Sequence, residues 1–331
     1  MTPDIETTYM GLKLPSPLIA ASSGITDNVE NLDQLQQLGA GAVVLKSLFE
    51  EEILAEMARN QTRMQRTGYT FPELSEMEEL LPSESGVADY LELITNAKKA
   101  LNIPVIASIN CVSAQKWTHF AQTIEQQGAD ALELNVFLMP SDLSADSVPD
   151  FEQTYFDIIQ MVLDQVSIPV AVKVSYYFTL LAKTLKTISE SGISGLVLFN
   201  RFFSPDYDLD DLTIVPTNVF SSEDELSTSL RWIAIMHGRV ACDLAASTGI
   251  HSGDAMIKQL LAGAQAVQIA SCLYRDGLEV VGQMNKRLTE WMQSKNYSRI
   301  EQFRGRLSQA NVENPAAYDR VQFVKNFRAL Q

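Results

Sequence analysis

Two lysines stand where a charged side chain is costly to bury. Lys46 ends the apolar run 42–45, and Lys173 lies inside the apolar run 170–174. An ammonium group in such a run needs an anionic partner, because burying an unpaired charge is strongly unfavourable. The partner can be a bound anion or a reduced cofactor, or it can be a nearby carboxylate such as Glu133. A third interpretation is an amine that forms a Schiff base, as in lyases.

Asparagines stand at the ends of three other apolar runs. They are Asn110, Asn135 and Asn200, and Arg201 follows the last of them directly. Together with the two lysines, these side chains predict a polar and cationic site.

The elements that carry these residues follow from repeated patterns. Four helical stretches end at a glycine and lead into an apolar run, and the glycines are Gly39, Gly128, Gly192 and Gly263. Each glycine is placed as the residue after a helix, where a positive φ is needed. Two other runs begin with an Ile-Pro pair, at Pro104 and Pro169, and proline is tolerated at the first residue of a strand.

Eight strands are predicted from these runs. They centre on Ile19, Val44, Ile106, Leu132, Val172, Val197, Ala241 and Val267. Helical segments between most of them predict a parallel sheet, and eight such units predict a (β/α)8 TIM barrel. The competing open sheet would carry a G-x-G-x-x-G turn after its first strand, and the sequence has none. We expect a single domain over residues 1–331, with an N-terminal hairpin and long connections after strands two and six.

A barrel places its working residues at the carboxyl ends of its strands. The last two strands end in Ser247-Thr248-Gly249 and in Ala270-Ser271. Barrels usually hold phosphate at this position, through backbone N–H groups and a helix N-terminus. His251 follows the first of these loops and is either a packing residue or a cofactor contact.

Composition and charge exclude several classes of partner. The chain has 331 residues, a net charge of −16 and 46% hydrophobic residues. So acidic a surface repels nucleic acid and anionic membranes. The first residues lack the features of a signal peptide, and no apolar run reaches the roughly 18 residues that span a bilayer. We therefore expect a soluble, cytoplasmic protein, and no residue spacing predicts a metal site.

Short motifs in a fixed order point to a known family. In chain order they are PLIAASSG, VVLKS, PVIASIN, ALELNV, VAVKV, STGIHSGDAM and GAQAVQIASCLYRDG. Together they resemble the dihydroorotate dehydrogenase family, in particular its soluble class 1 members. The resemblance implies an FMN-binding barrel that oxidises dihydroorotate to orotate in pyrimidine biosynthesis, and it implies a homodimer.

The resemblance also implies roles for the polar strand ends. Lys173 would lie at the N1/O2 edge of the flavin ring, where a cation stabilises the negative charge that hydride arrival leaves. Lys46 and Ser47 would lie near the flavin and the substrate. The other implied contacts are to the ring from Ala21 and Ser22, to the phosphate from Thr248, Gly249, Ala270 and Ser271, and to flavin or substrate from Asn110, Asn135 and Asn200.

The departures from the family pattern fall on the substrate side. The family carries a cysteine or serine base shortly after the residue matching Asn135 and just before a proline, but here Leu138 and Met139 stand there. Ser141 is the candidate replacement, with Cys111 on the neighbouring strand as the alternative. The family's Asn-Ser-x-Gly motif after strand two is absent from residues 59–86.

Arg201 is a further departure, because it replaces the serine of a family Asn-Ser pair. The added cation predicts an anionic ligand of altered shape. Four hypotheses therefore stay open: a dihydroorotate-oxidising flavoenzyme, an FMN oxidoreductase with a different anionic substrate, a catalytically silent flavin-binding or ligand-binding barrel, and a Schiff-base lyase without flavin.

Overall fold

Strand positions follow the apolar runs of the sequence. The computed structural model describes residues 2–49, 86–111, 118–136, 151–201, 205–216 and 218–318. The strands in chain order are β1 (Thr7–Tyr9), β2 (Leu12–Leu14), β3 (Leu18–Ala20), β4 (Ala42–Val44), β5 (Leu48–Phe49), β6 (Val105–Cys111), β7 (Ala131–Val136), β8 (Val170–Val174), β9 (Gly195–Leu198), β10 (Pro205–Asp208), β11 (Thr213–Pro216), β12 (Asp243–Ala246) and β13 (Ala266–Ile269).

Hydrogen-bonded pairing closes eight of these strands into a barrel. The order runs β4–β3–β13–β12–β9–β8–β7–β6, and β6 pairs back onto β4 through Val44 and Ile106. Every one of these pairs is parallel. The prediction of a (β/α)8 barrel is confirmed. The short β5 adds a parallel pairing to the upper part of β6, through Leu48 and Ile109.

Helices connect the strands on the outside of the barrel. They are α1 (Val29–Gln37), α2 (Gly86–Ala100), α3 (Thr118–Gln126), α4 (Phe151–Leu163), α5 (Leu181–Ser189), α6 (Leu226–Met236), α7 (Gly253–Ala262), α8 (Ser271–Asp276) and α9 (Val280–Ser294). In the part of the chain that the structure describes, none of them has the length and apolar character that crossing a membrane requires.

The glycines predicted to follow helices do adopt positive φ. The values are 94° at Gly39, 95° at Gly128, 102° at Gly192 and 124° at Gly263. At Gly263 the amide donates to the carbonyls of Gln259 and Leu260, which closes the end of α7. The local pattern therefore predicted where four connections turn into the next strand.

The seventh strand was predicted too early. It runs from Asp243 to Ala246, whereas the prediction centred on Ala241. The Ala241 amide donates to the Ser189 hydroxyl below the sheet, and pairing with β9 begins only where Asp243 meets Gly195. The register of the neighbouring strand, rather than the apolar run itself, decides where β12 begins.

The two predicted long connections differ in how much of them can be described. Residues 50–85 of the first lie outside the described residues. The second contains the antiparallel hairpin of β10 and β11, which projects into solvent, followed by α6. An antiparallel N-terminal hairpin, β1 with β2, is present as predicted.

The barrel interior is apolar at its amino-terminal end. Successive strand residues point alternately into the barrel and toward the helices. The inward set contains five alanines, and the side chains of Tyr9 and Met10 from the N-terminal hairpin pack against it. Its members on the barrel strands are Ile19, Ala42, Val44, Ile106, Ala131, Ala171, Val197, Ala245 and Ala266. The small alanines leave the space that the hairpin fills.

The next inward layer is polar. Two residues further along β6, β7, β8 and β13 stand Ser108, Glu133, Lys173 and Gln268, all of them buried. The same alternation that fills the lower barrel with alanines thus brings polar side chains together just below the carboxyl ends of the strands. This layer is the base of the candidate site.

Two buried tyrosines allow a matched test of the barrel core. The Tyr9 hydroxyl has no hydrogen-bond partner among the described residues. The Tyr90 hydroxyl accepts from the Ser108 amide at 2.7 Å and donates to the Ser108 carbonyl at 3.0 Å. We predict that Tyr9→Phe leaves the free energy of unfolding unchanged or raises it by up to about 1 kcal/mol, because it removes an unsatisfied polar atom.

The matched variant Tyr90→Phe is expected to lower the free energy of unfolding by about 1–3 kcal/mol, because the Ser108 amide loses its acceptor. Urea unfolding followed by circular dichroism measures both variants. Equal losses in the two would show that the Tyr9 hydroxyl is satisfied inside the barrel.

Candidate active site

A cavity opens at the carboxyl ends of the strands, above the polar layer. It has a volume of about 210 Å³. Its lining includes most of the residues predicted from the sequence: Ala21, Ser22, Asn135, Lys173, Asn200, Arg201, Thr248, Gly249, Ala270 and Ser271. The structure therefore brings together residues from β3, β7, β8, β9, β12 and β13 that are far apart in the chain.

Three predicted residues do not line this cavity, and one cannot be placed. Lys46 is exposed and Asn110 is half-buried on the side of β4 and β6. Ser47 donates its amide to the Ser22 hydroxyl, and its own hydroxyl lies 2.7 Å from that of Ser108. Ser141 lies outside the described residues.

Lys173 forms the cationic part of the cavity floor. Its ammonium donates to Gln268 Oε1 at 3.0 Å and lies 3.7 Å from Glu133 Oε1. Gln268 in turn donates to Glu133 Oε2. The sequence left two interpretations of Lys173 open, a carboxylate partner and a cation that faces a ligand. The structure shows both, because Lys173 lies near Glu133 and also lines the cavity.

Two predicted asparagines meet at the wall of the cavity. Asn200 Nδ2 donates to Asn135 Oδ1. The register of β7, β8 and β9 explains the contact. Asn135 pairs with Lys173 on β8, and Asn200, just after β9, donates its backbone amide to the Val174 carbonyl at the end of β8. Both amides keep further donors and acceptors that can serve a ligand in the cavity.

The opposite end of the cavity is a cluster of hydroxyl and amide groups. The Ser221 hydroxyl donates to the Ser271 hydroxyl at 3.1 Å and accepts from the Gly249 amide at 3.4 Å. It also lies 3.0 Å from His251 Nε2. Burial lowers the pKa of His251 below its ordinary value, and nearby Arg275 acts in the same direction. The imidazole is therefore neutral at pH 7, and this end of the cavity relies on dipoles rather than on a cation.

Gly249 is required by packing as well as by its backbone conformation. Its φ is +77°, and a Cβ at this residue would lie 2.1 Å from the backbone nitrogen of Leu226 at the start of α6. Thr248 before it also has a positive φ, of 74°, and donates its hydroxyl to the Phe199 carbonyl at 3.2 Å. The loop after β12 is thus fixed against α6 and β9, with the Gly249 amide directed at the cluster.

Arg201 holds residues 218–222, here named the strap, across the cavity. Its Nη1 donates to the Val219 carbonyl at 2.9 Å and its Nη2 to the Asn218 carbonyl at 2.7 Å. Its Nε donates to Glu225 Oε2 at 2.9 Å. Burial raises the pKa of Glu225, but hydrogen bonds from Arg201 and the Ser222 amide outweigh it and hold the pKa below its ordinary value. The guanidinium lines the cavity, yet it makes four hydrogen bonds to protein groups with its five N–H donors.

Comparison with known sequences decides the family. A sequence model described as dihydroorotate dehydrogenase matches residues 4–292 of this chain. The chain belongs to the dihydroorotate dehydrogenase family. The match spans the N-terminal hairpin, all eight barrel strands and most of α9, so it covers every described residue of the candidate site.

The alignments with individual relatives cover nearly the whole length of both proteins. The chain is 27% identical over 313 residues to the catalytic subunit of dihydroorotate dehydrogenase B (NAD(+)) of Thermoplasma volcanium, which spans 91% of this chain and 98% of the relative. It is 25% identical over 335 residues to the dihydroorotate dehydrogenase (fumarate) of Saccharomyces cerevisiae, spanning 93% and 99%. The resemblance recognised from short motifs is confirmed.

Sequence reasoning missed two residues of the site of this family member. Gln268 carried a usable signal, because it interrupts the run 266–269 two residues beyond the inward-facing Ala266, as Lys173 does beyond Ala171. Ser221 carried none. It comes from the long connection after β9, and only the fold places it beside Ser271 and Gly249.

The hydrogen bonds from Arg201 to the two strap carbonyls and to Glu225 predict that the strap opens more easily without them. In Arg201→Lys the ammonium cannot bond both strap carbonyls and Glu225, because lysine lacks the planar fork of arginine. We expect chymotrypsin to cleave after the half-exposed Phe220 about tenfold faster, since local opening becomes easier. Mass spectrometry of a digestion time course measures the rate.

Arg287→Lys is the control, because it alters an exposed ion pair, with Asp254, away from the cavity.

The stabilisation that Glu225 gives to the strap depends on pH in one direction. Since the folded-state pKa of Glu225 is lowered, its stabilisation is present above the ordinary carboxyl pKa and is lost as the pH falls through the folded-state value. Equal cleavage rates in Arg201→Lys and wild type at pH 7 would show that the hydrogen bonds of Arg201 do not hold the strap in place.

Proposed function

We propose that this protein binds FMN in the cavity and oxidises dihydroorotate to orotate, the activity that its relatives are named for. The observation that carries the proposal is the pairing of a buried lysine at one end of the cavity with a cluster of hydroxyl and amide donors at the other. A flavin nucleotide presents a ring that becomes anionic on reduction and a phosphate, which match these two ends in chemistry.

The donor set fits a phosphate at the Ser221 end. A neutral hydroxyl oxygen, that of Ser221, already accepts the Gly249 amide and lies beside Ser271 and His251. A phosphate oxygen would meet the same groups. Anion sites built from backbone amides and hydroxyls need no cation, because several oriented dipoles supply the field. Ser221 would then either turn aside or add its own hydroxyl as a donor.

The lysine end fits the ring. Lys173 is 7% exposed and lines the cavity, so its charge acts in surroundings of low dielectric. A cation fixed there stabilises negative charge as it develops, without reorganisation. Asn135 and Asn200 add amide groups beside it. FMN bound here would supply the acceptor for a hydride from the substrate.

The proton that leaves the substrate with the hydride needs a base. Among the described residues that line the cavity there is no cysteine, histidine, aspartate or glutamate. We propose Ser141 for this role, in the segment that follows Asn135. Leu138 and Met139 stand where the family pattern has its base, and neither can accept a proton.

Two other candidate functions follow from specific observations. Leu138 and Met139 favour a flavin oxidoreductase with a different anionic substrate, or a silent flavin-binding barrel, should Ser141 not act as a base. The lyase hypothesis is disfavoured by geometry, since the Lys173 side-chain nitrogen already donates to Gln268 Oε1 at 3.0 Å and lies 3.7 Å from Glu133 Oε1.

Further parts of the proposal concern assembly and contacts at the periphery. We propose a homodimer, a single domain over residues 1–331, and ligand contacts from Lys46, Ser47 and Asn110 on the β4 and β6 side of the barrel mouth. An Arg201 contact to the anionic substrate would use the second Nη1 donor or exchange a strap carbonyl for the ligand.

The test follows the visible spectrum of the protein with FMN under anaerobic conditions. Dihydroorotate is expected to bleach the flavin absorbance in the wild type. In Ser141→Ala the bleaching rate is expected to fall by about 10²–10⁴-fold with FMN affinity unchanged, because a general base contributes that much. Ser144→Ala, in the same segment, is the control.

Each outcome addresses one part of the proposal. Protein that takes up no FMN refutes the cofactor. Flavin that stays oxidised with dihydroorotate refutes the substrate and favours a flavin oxidoreductase with a different anionic substrate or a silent flavin-binding barrel. A wild-type rate in Ser141→Ala refutes the base alone.

A further inference from the structure

Three polar side chains connect opposite walls of the barrel beneath the cavity. Glu133 is on β7 and Lys173 on the adjacent β8, whereas Gln268 reaches them from β13 on the far side. Gln268 accepts from Lys173 through its amide oxygen and donates to Glu133 through its amide nitrogen. This closed arrangement fixes the orientation of the Gln268 amide and of both charged groups.

The arrangement is asymmetric with respect to the cavity. Lys173 and Gln268 line the cavity, whereas Glu133 is 1% exposed and does not. Glu133 Oε1 has no hydrogen-bond partner among the described residues, and its 3.7 Å separation from Lys173 Nζ is longer than a hydrogen bond. The carboxylate therefore lies behind the ammonium without accepting its donors. At least part of the donor capacity of Lys173 remains directed at the cavity.

A buried carboxylate in this place needs a physical reason. A lone ammonium in a barrel core tends to lose its proton, because burial disfavours the charged form. A tightly hydrogen-bonded ion pair would keep the charge but cancel much of its field at the cavity. A carboxylate held behind the lysine by Gln268 keeps the ammonium charged and leaves the positive end of the pair facing the ligand.

We propose that Glu133 is a positioning residue that keeps Lys173 protonated and directed at the cavity, and that Gln268 fixes its place. The proposal rests on the proposed function only for the identity of the ligand, a flavin that gains negative charge on reduction. The charge state of Lys173 itself is a property of the protein without any ligand. The two can therefore be tested separately.

The first experiment reads the protonation of Lys173 in protein without flavin. Lysine labelled with ¹³C at Cε is followed by NMR across a pH titration, and Lys173→Met assigns the signal. In Glu133→Gln the titration midpoint of Lys173 is expected to fall by at least about one pH unit, a tenfold loss of proton affinity. Glu290→Gln, which removes an exposed carboxylate, is expected to leave the midpoint unchanged.

An unchanged or raised midpoint in Glu133→Gln would overturn the proposal. Glu133→Asp keeps the charge but draws it back by one methylene, so its midpoint is expected to fall between those of the wild type and Glu133→Gln. Should Glu133→Gln fail to fold, Glu133→Asp still decides, because the longer separation must lower the midpoint partway if the carboxylate acts on Lys173. A wild-type midpoint in a folded Glu133→Asp protein would then count against the proposal.

The second experiment measures the two-electron reduction potential of bound FMN. At a pH above the Lys173 midpoint of Glu133→Gln and below that of the wild type, loss of the cation is expected to lower the reduction equilibrium constant of Glu133→Gln at least about tenfold, equivalent to about 30 mV. In a Lys173→Met background, adding Glu133→Gln is expected to cause no further fall, because Glu133 acts through the lysine. The same fall in both backgrounds, or a rise in Glu133→Gln alone, would contradict the role.

The two experiments separate the possible failures. Wild-type protein without FMN binding refutes the proposed function, while the NMR titration still decides on Glu133. A flavin-loaded protein with a normal potential in Glu133→Gln refutes the role of Glu133 and leaves the proposed function intact.

Discussion

A closed barrel of eight parallel strands has an interior that its own side chains must fill. This constraint acts differently at the two ends of the molecule. At the amino-terminal end, five alanines leave space for Tyr9 and Met10 of the N-terminal hairpin, and the core there is apolar. Towards the carboxyl ends no plug is present among the described residues, and the inward positions on β6, β7, β8 and β13 are polar. The site begins where the apolar filling stops.

The polar layer has to satisfy its own groups before it can serve a ligand. Gln268 does this by accepting from Lys173 and donating to Glu133, while the Ser108 hydroxyl pairs with that of Ser47 at 2.7 Å. What is left over is a cation whose counter-ion lies behind it. Buried ion pairs often contribute little to stability, because desolvation offsets their attraction. Their direction relative to a cavity can still matter for function.

The far end of the cavity is assembled by a segment that belongs to no barrel strand. The strap carries Ser221 to Ser271 and Gly249, and Arg201 at the end of β9 holds two of its carbonyls. The same arginine also bonds Glu225, just before α6. The end of β9 and the strap are thereby joined through one guanidinium.

The sequence by itself determined the barrel, the family and most residues of the cavity wall. It could do so because these features are local: apolar runs of strand length, glycines after helices, and polar residues at strand ends repeat at short range. The tertiary structure decided the rest. The start of β12 depended on its register with β9, the partner of Lys173 on contacts across the barrel, and Ser221 on the path of a long connection. Arg201, which the sequence presented as a cation for a ligand, is bonded to the strap and to Glu225. Contacts between residues distant in the chain leave no local pattern, because nothing in the neighbouring residues encodes which side chain the fold will bring to them.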